Sequence, residues 1–191
     1  MKILLFGKTG QIAKELCNRP NVTAIGRDKA DFTEPQKIIE IVKSTDADII
    51  INAVAYTSVD LAEEEFELAN IINGTTVKEL AKVSASRNIP FLHISTDYVF
   101  KGDGNLNWKT SDQTNPQNSY GKSKLIGESG ILEAGGPYVI LRTSWVFSSH
   151  GNNFVKTMLR LASNNNELSI VKDQIGGPTC AKDIADALWK I

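Results

Sequence analysis

Apolar residues follow two rhythms along this chain. Short dense runs occupy residues 1–6, 22–25, 48–53, 90–95 and 138–142, each long enough for one strand and too continuous for a strand with one wet face. Between them the apolar positions spread to helical spacing. Ile38, Ile39 and Val42 form one such stripe, a longer helix runs from Phe66 to about Arg87, and another starts at Tyr120 and stops at Gly135-Gly136. Helical patterns close the chain at 153–162 and Ala181–Lys190. Strand and helix in strict alternation predict an α/β fold, a doubly wound parallel sheet of Rossmann-like type. No repeat, low-complexity tract or composition break marks a linker, so residues 1–191 read as one dinucleotide-binding-type domain. The Asn/Asp/Gly-rich stretch 101–118 is too long for a plain connection, and such loops in compact domains are usually functional.

Composition narrows this little. The 191 residues are 41% hydrophobic, enough for one core, and the net charge is -1, with no Lys/Arg stripe to suggest nucleic acid or an anionic membrane surface. Cys17 and Cys180 are too few and too far apart for a disulfide framework. With no leader-like or membrane-length apolar run, the expected location is cytoplasmic. His93 and His150 are the only histidines, so no metal site is expected, and His93 inside an apolar run reads as a satisfied core side chain.

In a doubly wound sheet ligands bind beyond the carboxyl ends of the strands, and four of those ends carry chemistry. The first opens into Gly7-Lys8-Thr9-Gly10-Gln11-Ile12-Ala13. There Gly7 permits a sharp turn, Gly10 lets backbone approach a pyrophosphate, Gln11 and Ile12 stand at the helix N-terminus, and Ala13 lets helix pack on strand. The second ends in Gly26-Arg27-Asp28, with no acid at the place where a ribose would be held. Arg27 there favours a 2'-phosphate, hence NADPH, with NADH the alternative and Asp28 softening the charge argument. Asp31 and Phe32 are placed to meet an adenine edge, although Asp before Phe also suits a turn. The third end carries Ala53, Ala55, Tyr56 and Thr57, where small residues admit a cofactor, and the fourth carries Thr96 and Asp97. Tyr120 and Lys124 stand at i, i+4, on one face of a helix. An ammonium beside a phenol should lower its pKa from about 10 toward general-acid work at neutral pH.

Together these residues resemble the extended short-chain dehydrogenase/reductases. The runs Ser95-Thr96-Asp97-Tyr98-Val99-Phe100, Arg142-Thr143-Ser144-Trp145-Val146-Phe147 and Asp173-Gln174-Ile175-Gly176-Gly177-Pro178-Thr179 are similar to those of the dTDP-4-dehydrorhamnose reductase family within them. The resemblance implies a catalytic triad of Thr96, Tyr120 and Lys124, with the lysine also holding the nicotinamide ribose, and substrate contacts from Thr96, Asp97 and Trp145. It implies reduction of the C4 keto group of dTDP-4-dehydro-6-deoxy-L-mannose to dTDP-L-rhamnose in cell-surface polysaccharide synthesis. Asn73 matches a superfamily helix motif and reads as structural. In that family a carboxy-terminal lobe closes over the nucleotide-sugar. This chain stops at Ile191, so most of that lobe is expected to be absent, leaving apolar surface near Trp145 and Phe147 that would favour self-association into a homo-oligomer. A non-catalytic nucleotide-binding regulatory subunit of the same fold is the alternative. Epimerases and dehydratases fit less well, because no Glu follows Thr96-Asp97 as a dehydratase base.

Overall fold

A computed structural model describes residues 1–103 and 106–191. Five strands form one parallel sheet: β1 (Ile3–Phe6), β2 (Val22–Ile25), β3 (Ile49–Asn52), β4 (Phe91–Thr96) and β5 (Tyr138–Thr143), in the order 2-1-3-4-5. The chain is Rossmann-like, and its strand order reverses between β1 and β3, where an open α/β sheet forms its crevice.

The dense apolar runs follow from helices covering both faces. Along β1, Leu4 and Phe6 point into a core built with Ile38 and Val42 of α2 (Pro35–Ser44), Val77 and Leu80 of α4 (Thr76–Ser86) and Ile131 of α5 (Ser119–Ala134). Ile3 and Leu5 point the other way, to Ala13 and Leu16 of α1 (Gln11–Cys17) and Ile184 and Leu188 of α7 (Ala181–Lys190). The period of two along the strand thus deals alternate side chains to two separate cores.

Local signals set the helix ends. Pro35 opens α2, where its missing N–H costs nothing. Asn118 caps α5 by accepting from Gly121 N–H at 2.7 Å, and Gly135 ends it in the left-handed region at φ 70°. The helix expected over 66–87 is not continuous. It begins as α3 (Phe66–Asn70), widens into a π-helical turn over Ile71–Thr75, and resumes as α4. A second departure is the parallel pair of β6 (Val146–Phe147) and β7 (Thr179–Cys180), which brackets α6 (Phe154–Ala162). Two-residue strands leave no periodicity to read.

Apolar side chains are exposed farther along than Trp145 and Phe147, which are half-buried. Phe154, Val155 and Leu159 on α6, with Ile170, Val171 and Ile175 beyond it, carry that surface. Among the described residues no helix is long and apolar enough to cross a membrane.

α5 lies unusually close to its neighbours. A β-carbon on Gly127 would fall 2.2 Å from the Asn73 carbonyl oxygen. Gly127→Ala is therefore expected to lower stability by about 1–3 kcal/mol, the usual cost of overpacking, in urea denaturation. An unchanged midpoint would show that α5 can back away at no cost.

Candidate active site

The glycine turn leaves β1 with Gly7 at φ 108°, and a β-carbon there would press on the Ala53 backbone at 3.3 Å. The ends of β1 and β3 are therefore drawn together across the crevice. Over Gly10 there is open space, with no atom within 4 Å of where a β-carbon would stand. No side chain caps α1 and its first turn holds no acid, which leaves the N–H groups of Gln11 and Ile12 available to an anion. Their side chains have other tasks. Gln11 donates to the Val146 carbonyl at 3.1 Å and accepts from Ser148 and Asn153, while Ile12 packs in the core.

At the end of β2, Arg27 is 80% exposed and donates through Nε to Asp31 at 3.1 Å. That single contact leaves the terminal amino groups of the guanidinium to a phosphate. The expected adenine contacts are placed differently from the sequence reading. Asp31 is committed to the Thr33 N–H at 2.9 Å, the Thr33 hydroxyl at 2.8 Å and Arg27, and the Thr33 N–H leads in holding its carboxyl below the usual range. Phe32 is buried edge-on against Phe6 and its carbonyl accepts from Thr76 at 2.7 Å, so its ring is packed away from the crevice and a base would be met by backbone alone.

Beyond β3, Ala53 abuts Gly7, Ala55 and Tyr56 are half-buried and Thr57 is exposed. Their course is set by Asn73, buried in the π-helical turn. Its Oδ1 accepts from Tyr56 N–H at 2.9 Å and its Nδ2 donates to the Tyr56 carbonyl at 3.0 Å and to Ser123 at 3.0 Å. One amide thus ties the third strand end to α5, next to Lys124, in the structural role expected of it.

Thr96, Tyr120 and Lys124 converge where β4 meets α5. The Thr96 hydroxyl donates to Asp97 at 3.2 Å and accepts from Tyr98 N–H at 3.2 Å, and Tyr120 has Thr96 as its hydrogen-bonding neighbour. The expected electrostatics are overturned. Burial pushes Tyr120 up to about 12, against the Thr96 hydrogen bond, rather than down under the influence of lysine. The reason is the direction of Lys124. Its Nζ donates to the Ile94 carbonyl at 2.7 Å and lies 3.2 Å from His93 Nε2. Burial brings Lys124 down to about 8, with the Glu128 charge opposing. His93 is the core side chain the sequence suggested, but its ring also joins Lys124 to Asn52, whose Nδ2 is 3.1 Å from Nδ1. Neither partner was read as part of the site, and no local pattern marks them.

Asp97, raised by burial, borders a cleft of about 720 Å³ with Tyr98, Phe100, Ser144, Trp145 and Gly176. Trp145 adopts φ 46°, a strained conformation for a bulky residue, and its ring stands edge-on to Phe154 at 4.9 Å. Glu128, fully buried on α5, accepts from Arg142 Nε at 3.0 Å and Nη2 at 2.6 Å, and the guanidinium lies 4.9 Å over the Phe100 ring. This pair fastens the cleft wall to the same helix that carries Tyr120. Among the described residues no cluster of His, Cys, Asp and Glu is placed to hold a metal.

Residues 1–191 match the family model described as the RmlD substrate binding domain. The chain belongs to that family. It is 46% identical over 194 residues to the dTDP-4-dehydrorhamnose reductase of Escherichia coli K12, covering 97% of this chain and 65% of the relative. The chain therefore spans just under two thirds of that protein's length. Among solved structures it is similar to the dTDP-4-dehydrorhamnose reductase of Clostridium acetobutylicum, with 37% identity, a TM-score of 0.93, and coverage of 100% of this chain and 69% of that one. The Bacillus anthracis reductase, solved in complex with NADP, gives the same identity and TM-score with 70% of its chain covered.

The lowered pKa of Lys124 carries a stability consequence with a definite sign. Between about 8 and the ordinary 10.5 the unfolded chain keeps a proton that the folded chain has released, so this group makes folding more favourable as pH rises through that window. Below it, burying the charge costs on the order of 3 kcal/mol. Relative to wild type, Lys124→Met is therefore expected to be more stable at pH 7 than at pH 10 in paired melts. A difference independent of pH would contradict the assignment.

Proposed function

We propose that residues 1–191 form a dinucleotide-binding domain bearing the catalytic residues of an NADPH-dependent reductase. Its substrate is dTDP-4-dehydro-6-deoxy-L-mannose, reduced at the C4 keto group to dTDP-L-rhamnose. The observation that carries this reading is the convergence of Thr96, Tyr120 and Lys124 at the end of β4, separated from the open glycine turn of β1 by β3 alone. The names of the relatives and the NADP bound to one of them support it.

The residues fit the cofactor. The space over Gly10 and the uncapped α1 N–H groups suit a pyrophosphate, Arg27 suits a 2'-phosphate, and the closely apposed Gly7 and Ala53 leave backbone rather than side chain beside the crevice. NADPH, when bound, supplies the hydride for the carbonyl carbon. Tyr120 donates its proton to the oxygen as negative charge develops there. A phenol held at about 12 is fully protonated at neutral pH, yet still a stronger acid than the alcohol it produces. Thr96 turns its hydroxyl from Asp97 to the same oxygen, and Lys124 hydrogen-bonds the nicotinamide ribose. Asp97 and Trp145 border the sugar side of the cleft. A non-catalytic subunit would have no use for all three members of the triad.

Two outcomes follow. Calorimetry should show NADPH binding about tenfold more tightly than NADH, and Arg27→Ala should remove that preference while sparing NADH, as loss of a charge-assisted hydrogen bond requires. Equal affinities in the wild type would remove the role of Arg27. In steady-state assays with dTDP-4-dehydrorhamnose on a chain long enough to close over the nucleotide-sugar, Tyr120→Phe should cut turnover about a hundredfold or more while leaving NADPH affinity nearly intact. Wild-type turnover in that variant would move the proton donor elsewhere.

A further inference from the structure

With Lys124 as the amine, the chain of polar groups running from Val54 to Lys124 has one consistent set of proton positions when it is followed from its unambiguous end. Val54 N–H can only donate, and it meets Asn52 Oδ1 at 2.9 Å. The Asn52 amide is thereby oriented, and its Nδ2 donates to His93 Nδ1 at 3.1 Å. A neutral imidazole whose Nδ1 accepts must carry its proton on Nε2. That N–H points at Lys124 Nζ, 3.2 Å away. An amine accepts it; an ammonium has no lone pair and would set donor against donor.

We propose that Asn52 and His93 are positioning residues for Lys124. Asn52, locked by the Val54 N–H, fixes the Nε2–H tautomer of His93, which presents Lys124 with a donor and so favours its amine form. To protonate Lys124 the whole chain must reverse. His93 would have to move its proton to Nδ1 and Asn52 would have to turn its oxygen to receive it, leaving Val54 N–H facing an NH2 group inside the protein. A part-buried donor left facing another donor is unfavourable, which disfavours the reversed chain. This adds to the burial that already brings Lys124 down. Three other polar groups of the site bear on the amine. Glu128, one turn on along α5, favours the ammonium but is itself paired with Arg142 of β5; Tyr120, one turn back, is protonated; and the Ile94 carbonyl of β4 accepts from either form.

The isosteric change Asn52→Asp tests this directly. A carboxylate can accept from Val54 N–H with one oxygen and from His93 Nδ1–H with the other, which frees Nε2 to accept from an ammonium. The neutral chain becomes one with a negative end at Asp and a positive end at Lys. Nitrogen-15 NMR of the imidazoles, assigned with the help of His150→Gln, should report His93 as the Nε2–H tautomer in the wild type at pH 9 and as the Nδ1–H tautomer in Asn52→Asp. The Lys124 midpoint, followed through its side-chain carbon-13 shift, should rise by about one pH unit or more in the variant. A mere packing role for Asn52 would move neither. An Nδ1–H tautomer in the wild type, a tautomer unchanged by the substitution, or an unmoved Lys124 midpoint would each overturn the proposal. The wild-type measurement stands even if the variant fails to fold.

The consequence for catalysis rests on the reductase reading. There, the pH limb of turnover that follows Lys124 should move upward with the same midpoint in Asn52→Asp. If a chain long enough to close over the nucleotide-sugar shows no turnover, the reductase reading fails while the NMR result still decides the tautomer.

Discussion

The seating of α5 on the carboxyl end of β4 is the constraint on which the rest of the site depends. It is a matter of ångströms. A β-carbon at Gly121 would lie 2.3 Å from the Tyr98 carbonyl oxygen, as close as the Gly127 contact with Asn73 at the helix's middle. With glycine at both places the helix comes near enough to bury Lys124 and most of Tyr120 against the strand, and burial, more than any charge, then decides how each holds its proton. A looser helix would hydrate both groups and restore ordinary values.

Burial at this depth favours polar groups that find partners, and those partners knit separate elements together. Asn73 holds the loop after β3 and Ser123 of α5 with one amide, inside a π-helical turn that swings it inward. Glu128 holds Arg142 of β5, which in turn covers Phe100 at the cleft. Gln11 connects the glycine turn to Val146, Ser148 and Asn153. The candidate cofactor crevice and the candidate sugar cleft are therefore not independent surfaces, since both hang on polar contacts made by a few side chains at strand ends.

The elements were legible in the sequence because the parallel sheet is covered on both faces, which makes its strands dense apolar runs, and because Gly135-Gly136 stops α5 with ordinary capping chemistry. The facing of Tyr120 and Lys124 was equally legible, being a property of helical spacing alone. What could not be read is where the lysine points. That depends on β3 and β4 lying in a register that sets Asn52 directly beside His93, a pairing forty-one residues apart with no local signature. The partners of Asp31 and Phe32 were hidden for a related reason: the Thr33 turn and the Phe6 ring that hold them emerge only with the fold. The break at Ile71–Thr75 was hidden because a π-turn keeps the apolar spacing of its helix almost intact.

The central claim is that the ends of β1, β3 and β4 form one continuous site, with a dinucleotide laid from Arg27 across the glycine turn to the helix bearing Tyr120 and Lys124. A crystal structure of this chain with NADPH tests it most directly. The account predicts the 2'-phosphate at Arg27, the pyrophosphate over Gly10 and the N–H groups of Gln11 and Ile12, and the nicotinamide ribose within hydrogen-bonding reach of Tyr120 and Lys124. A dinucleotide bound elsewhere, or laid in the opposite direction with its adenosine at Tyr120, would contradict it.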